Sequence, residues 1–265
     1  MKFIWLRAVL VLSAMAVPLA LPRAIETGTG APAPARARKT VVVELFTSEG
    51  CSSCPPADAL LGRLDQEKFV DGLEIIPLGL HVDYWNFQGW TDRFSSADYT
   101  LRQQKYAERF GIEGPYTPQM VVDGDQQFVG SDLARARQAI TQAAVLEQPA
   151  AIEISPQAAG KIEVQIKGPR SAAGDVLVAI SEDNLSSKVH GGENNGRELR
   201  HWAVVRRLQP VGRLRQGIFA ATVPVKLEKE WKAEDLHVVV FVQQPESGRI
   251  IGAARIPATS LFGAR

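Results

Sequence analysis

The chain has 265 residues, with 30 lysines and arginines against 29 acids, and two cysteines. A formal charge of +1 gives it no electrostatic reason to seek nucleic acid or an anionic membrane surface. Two cysteines are too few to staple a small scaffold, so apolar cores must hold the fold.

The start is positive, at Lys2 and Arg7, and Val9 to Leu21 is almost continuously apolar. Small residues follow at Ala14, Ala16, Ala20 and Ala24. This predicts a secretory signal peptide over residues 1–24 rather than a membrane span, which needs ~20 apolar residues. Its removal takes Lys2, Arg7 and Arg23 and no acid, so three cations lost from +1 leave −2. The mature protein is then periplasmic or extracellular, without stable membrane insertion, and its cysteines sit in an oxidising compartment. Residues 25–39 are Gly, Ala, Pro, Arg and Thr without apolar period, which predicts a disordered linker.

Order begins at Thr40. Val41, Val42, Val43, Leu45 and Phe46 predict a strand buried on both faces, interrupted by the carboxylate of Glu44. Cys51-Ser-Ser-Cys54 follows, then Pro55-Pro56 and a helix carrying Leu60, Leu61 and Leu64. Leu73–Leu80 is the next strand. His81 to Trp90, dense in aromatics, predicts an irregular loop or short helix. Asp98–Phe110 is helical and stops at Gly111. Gly114–Gln119 is a turn cluster. Met120-Val-Val and Gln127-Phe-Val flank Asp123-Gly124-Asp125, a hairpin signal. A last helix follows, capped by Ser131.

After Pro149 the pattern changes to seven short apolar or alternating stretches with no helix between them, beginning at Ile152 and ending at Ile256. The expected organisation is therefore α/β: a thioredoxin-like domain over 40–148, then a small all-β, sandwich-like domain over 149–265.

A Cys-x-x-Cys between a strand and a helix is a redox motif by its chemistry. The unpaired N–H groups and partial positive charge of a helix start stabilise a thiolate. The second thiol can then expel the first from a mixed disulfide. This predicts Cys51 as the attacking thiol, with the lower pKa and greater exposure, and Cys54 as the resolving one. No cofactor is required. An inert structural disulfide is the plainer alternative, although a two-residue loop constrains the unfolded chain little. Another is a non-catalytic module that binds or delivers copper through Cys51, Cys54 and His81.

Glu44 stands seven residues before Cys51 and is either a buried acid that carries protons for the second cysteine or one partner of an ion pair. His81 is a proton carrier, a ligand or hydrogen-bonded packing. Tyr84, Trp85, Phe87 and Trp90 either wall a substrate groove or make a small satellite core. Gly191 to Gly196 is not a phosphate loop, because no Gly-Lys-Ser/Thr follows; it is a hairpin or exposed loop.

The order strand, Cys-x-x-Cys, helix, strand, helix, Thr117-Pro118, hairpin, helix resembles a thioredoxin fold. That resemblance implies a cis bond at Thr117-Pro118 facing the cysteines, a substrate chain held by Thr117 and Pro118, and protein or small-molecule thiols and disulfides as partners; Trp85, from the aromatic stretch, is the further candidate for substrate binding. More closely, residues 40–265 resemble the exported bacterial family called domain of unknown function 1223. Glu44 to Asp58, His81-Val-Asp-Tyr-Trp85 with Gly89-Trp90, Tyr116 to Gly124, and Gly192-Glu-Asn-Asn-Gly196 with His201 carry the match. The chain departs from working thioredoxins at Gly50, where they have a Trp, at the Ser-Ser dipeptide and at Pro55-Pro56.

Overall fold

The structure is a computed structural model and describes residues 39–64 and 71–263. The expected signal peptide lies outside the described residues, as does the linker but for Lys39. Among the described residues no helix is long and apolar enough to cross a membrane.

The described residues hold thirteen strands and four α-helices, in the order β1 (Lys39–Thr47), α1 (Pro55–Leu64), β2 (Leu73–His81), α2 (Ala97–Phe110), β3 (Gln119–Val122), β4 (Gln126–Val129) and α3 (Leu133–Val145). Then come β5 (Ala151–Gln157), β6 (Lys161–Lys167), β7 (Gly174–Glu182), β8 (Leu185–Lys188), β9 (Glu198–His201), β10 (Val204–Leu214), β11 (Ile218–Pro224), β12 (Leu236–Gln243), β13 (Ile250–Pro257) and α4 (Thr259–Phe262). The aromatic stretch expected as irregular holds one 3-10 turn, Asn86–Gln88. Ser131 does not cap α3; the Asp132 side chain does, accepting from the Arg135 N–H.

Eight strands form one mixed sheet in the order β13-β12-β7-β10-β2-β1-β3-β4. β1 runs parallel to β2 and antiparallel to β3. After α3 the order is mostly β, broken by a 3-10 turn at Ala233–Asp235 and by the short α4, yet strands from both sides of residue 149 share this sheet. They join where Val204 of β10 pairs with Gly79 of β2, and the Gly79 N–H donates to the Ala203 carbonyl at 2.7 Å. The described residues form one compact unit.

Strand alternation assigns the cores. Val41, Val43 and Leu45 face α1 and α3, meeting Leu60, Leu61, Leu64, Ala136 and Ile140. Val42 and Phe46 face the other way, onto Tyr99 and Tyr106 of α2 and onto Val239 and Phe241 of β12. On the strands β7 and β12, Val176, Val178, Val238 and Val240 pack against Ile162, Val164 and Ile166 of β6. β6 is the centre of a separate three-stranded sheet, β11-β6-β5. The Asp123-Gly124 hairpin forms as its dipeptide predicts, with φ of 45° and 64° at the two positions.

Candidate functional site

Cys51 and Cys54 lie beyond the C-terminal end of β1 and are joined as a disulfide with Cα atoms 5.5 Å apart. The Cys54 carbonyl accepts from the N–H groups of Ala57 at 2.8 Å and Asp58 at 3.1 Å, so Cys54 opens α1. Pro55 and Pro56 occupy the positions where a missing N–H costs least. The Ser53 hydroxyl stands 3.4 Å from Cys51 Sγ.

Thr117-Pro118 is a cis peptide. Phe46 pairs with Gln119, so Pro118 stands at the end of β1 from which the cysteine turn departs. The Trp85 indole N–H donates to the Thr117 hydroxyl at 2.8 Å, while its Cβ lies against Gly50. The site residues expected from sequence at Cys51, Cys54, Trp85, Thr117 and Pro118 thus come together. The departure at Gly50 also has a cause: a Cβ there would stand 3.1 Å from the Trp85 Cβ, in a gap too tight for a larger side chain.

Glu44 is placed elsewhere. It shares the α2 face of the sheet with Val42 and Phe46, opposite the face that α1 covers. Its carboxylate is held bidentate by Arg102, Nε to Oε1 at 2.6 Å and Nη2 to Oε2 at 3.0 Å, and it also accepts from the Tyr106 hydroxyl. The acids beside the cysteine turn are Glu49 and Asp58.

Behind that turn lies a fully buried polar cluster. His81 Nδ1 meets Asp92 Oδ2 at 2.6 Å, and Asp92 Oδ2 also accepts the Glu49 N–H at 2.9 Å. The Glu49 carboxylate accepts from the Trp90 indole N–H at 2.7 Å and pairs with His201 Nε2 at 3.1 Å. The His81 and His201 rings meet edge to face, centroids 5.0 Å apart. His201 Nδ1 is buried without a hydrogen-bond partner.

Burial and pairing pull these groups in definable directions. Burial opposes a charge on His81, but the Asp92 carboxylate overrides it and holds the imidazole above its ordinary value. Burial likewise opposes the Asp92 charge, yet His81 and the N–H groups of Glu49 and Phe94 hold that carboxyl below the usual range. For Asp58 burial wins: its carboxyl is pushed up despite the pull of His201 and His81. Asp58 sits one turn beyond Cys54, in the first turn of α1.

His81 Nδ1 is committed to Asp92 and the two sulfurs to each other. Among the described residues no group of three or more His, Cys, Asp or Glu side chains is set to hold a metal ion.

The expectation of an exposed Cys51 is not met: both cysteines are 0 % exposed. The loop joining β8 to β9 covers Cys51. The Asn194 side-chain amide donates to the carbonyls of Glu49 and Cys51, both at 2.9 Å, and Glu193 Oε2 accepts the Ser52 N–H at 2.9 Å. Gly191 lies against Gly89, where a Cβ would come within 2.3 Å of the Gly89 carbonyl. The polar residues not assigned a role from sequence are therefore Glu49, Asp58, Asp92, Glu193, Asn194 and His201. Glu49 and Asp58 flank the cysteines in the chain, and that adjacency was their signal; the others come from 41 residues or more beyond Cys51.

The family model described as "Protein of unknown function (DUF1223)" matches residues 42–243. Among solved structures, the crystal structure of protein AGR_C_4864 from Agrobacterium tumefaciens superposes with a TM-score of 0.66 at 29% identity, covering 84% of this chain and 96% of that one. An endonuclease/exonuclease/phosphatase from Beutenbergia cavernae aligns with a TM-score of 0.20 at 12% identity, over 41% of this chain and 23% of its own, and carries no argument. No curated protein matches this chain.

Proposed function

This chain belongs to the family of proteins of unknown function DUF1223, and from the chemistry of its site we propose that it is an exported thiol–disulfide oxidoreductase. Its Cys51–Cys54 pair exchanges with thiols and disulfides of proteins or small molecules. The observation that carries this is the position of the pair: at the start of α1, beside cis-Pro118, with the buried carboxyl of Asp58 one turn on.

A thioredoxin-like reading of residues 40–148 accounts for that arrangement. The strand order β2-β1-β3-β4, the cysteine turn after β1 and the cis peptide before β3 are the features in its favour. A sandwich-like reading of 149–265 rests on the packing of β6 against β7 and β12.

The exchange balances as follows. A substrate thiolate attacks Cys51 Sγ; the new S–S bond forms as the Cys51–Cys54 bond breaks, and its electron pair leaves on Cys54 Sγ. Protonated Asp58 gives its proton to that thiolate, in the role expected for Glu44 from sequence. A second substrate thiolate attacks the substrate sulfur of the mixed disulfide and expels Cys51 as a thiolate. The substrate leaves as a disulfide and the protein as a dithiol. The reverse sequence reduces a substrate, with the Asp58 carboxylate taking the proton from Cys54.

The test is the Cys54→Ser protein. With Cys51 attacking and nothing to resolve, mixed disulfides with substrate disulfides accumulate and are seen by mass spectrometry. If none form, and the wild type neither oxidises a model dithiol nor reduces a model disulfide, the proposal fails.

A further inference from the structure

We propose that the loop of residues 190–196 is a redox-sensitive gate over Cys51, closed on the disulfide and released when the cysteines are reduced. The gate rests on the thiol–disulfide reading of the same site and concerns its regulation.

Exchange needs a thiolate in line with the Cys51–Cys54 bond, and Cys51 is 0 % exposed. The loop of residues 190–196 is bonded across the turn. Asn194 is itself fully buried and bridges the carbonyls of Glu49 and Cys51. Glu193 takes the Ser52 N–H, and the Gly192 N–H donates to the Gln88 carbonyl at 3.1 Å. These bonds meet the cysteine turn at its main chain and at the Ser52 side chain, and neither sulfur takes part, so the loop can lift without rearranging Cys51 or Cys54. The loop is also closed on itself. The Val189 N–H donates to the Arg197 carbonyl, the Gly196 N–H to the Val189 carbonyl, and the Arg197 guanidinium to Asn194 Oδ1 at 2.7 Å. Such a loop moves as a unit.

The trigger is electrostatic. The Glu193 carboxylate sits on the Ser52 N–H, a contact that also holds it below the ordinary range. Reduction places a second negative charge on the adjoining residue, Cys51. Carboxylate and thiolate then repel and compete for the N–H groups of one short turn. Linkage makes the effect reciprocal: the factor by which reduction loosens the loop is the factor by which the closed loop favours the disulfide.

The first test uses the unaltered protein. Hydrogen exchange of Ser52 and of residues 190–196 is compared in the oxidised state and after reduction by dithiothreitol. In that reduction one thiolate attacks Cys51 Sγ and Cys54 leaves and is protonated. The second thiol then expels Cys51, and the reductant departs as a cyclic disulfide. About ten-fold faster exchange is expected in the reduced state. In Glu193→Gln the repulsion is gone, and the difference between the two states shrinks.

The second test is the rate of that reduction. Asn194→Ala removes the bridge, and Gly191→Ala lifts the loop by its clash with Gly89 while keeping the Glu193 and Asn194 side chains unaltered. Both are expected to be reduced about ten-fold faster than wild type. Equal protection in the two redox states together with unchanged reduction rates overturns the gate. If the variants are reduced faster but neither they nor the wild type exchange with a protein dithiol, the gate stands and the oxidoreductase reading falls.

Discussion

Glu44 and Arg102 form a bidentate ion pair, with Nε–Oε1 at 2.6 Å and Nη2–Oε2 at 3.0 Å, across 58 residues of chain. The pair ties the central strand β1 to α2. Removing one partner of a buried pair leaves an uncompensated charge, at a cost of about 3–5 kcal/mol. Glu44→Gln is therefore expected to lose on the order of 3 kcal/mol in urea denaturation while leaving the pH profile of disulfide exchange where it is. A shifted profile would mean that Glu44 acts on the cysteines after all.

Asp58→Asn separates stability from activity. Burial raises the folded-state pKa of Asp58, so its neutral form is favoured by folding. The native state then holds a proton that the unfolded chain releases, and Asp58 costs stability once the pH exceeds its unfolded value. Asparagine carries no such cost, so the variant should be at least as stable as wild type at neutral pH. It cannot move the Cys54 proton, and the exchange rate should fall about 10²-fold and lose the limb of the pH profile that Asp58 provides. Stopped-flow rates across pH check both points.

Asp92 and His81 stabilise each other within a window. The raised His81 contributes stability that is fully present below its unfolded value of 6.5 and is lost as pH rises through its folded value. The lowered Asp92 contributes above 3.8, and that contribution is lost as pH falls through its folded value. The pair is thus strongest between these two limits. In Asp92→Asn burial acts on His81 with its main counter-charge gone, and the imidazole should titrate below 6.5, as read by NMR of the ring protons.

Asp123 sets a second pH dependence far from the cysteines. Its carboxyl accepts the Val42 N–H at 2.8 Å, and burial pushes its pKa from 3.8 up to about 7, against the pull of that bond and of Arg249. Between those values the unfolded chain is ionised while the native state holds its proton, so stability falls as pH rises from about 4 to 7. At about 1.4 kcal/mol per pKa unit the fall amounts to no more than about 4 kcal/mol. Asp123→Asn keeps an acceptor for Val42 and tolerates the positive φ, so it should remove this part of the slope. Thermal melts at several pH values measure it.

Local patterns in the chain determined the elements and the centre of the site. Apolar periodicity located β1, α1, β2, α2, the Asp-Gly hairpin and α3, because each pattern spans only a few neighbouring residues. The same local chemistry marked Cys51-Ser-Ser-Cys54 as a strand-to-helix turn, and the resemblance to a thioredoxin fold implied Thr117-Pro118 as its neighbour. The ion-pair reading of Glu44 was open in the sequence, but its partner Arg102 lies on another element, and no period points to it. Gly191–Gly196 was legible as a hairpin or loop, but the strands β8 and β9 that it joins have four residues each and carry too little alternation to stand out. What only the tertiary structure decided are the long-range pairings. These are the junction of β2 with β10, the meeting of Glu49 with His201 and the closure of residues 193 and 194 over the cysteine turn. Their partners stand 141 to 152 residues apart where the cysteine turn is concerned. Each depends on where the sheet brings its strands together, a property of the whole packed fold that no single stretch of sequence carries.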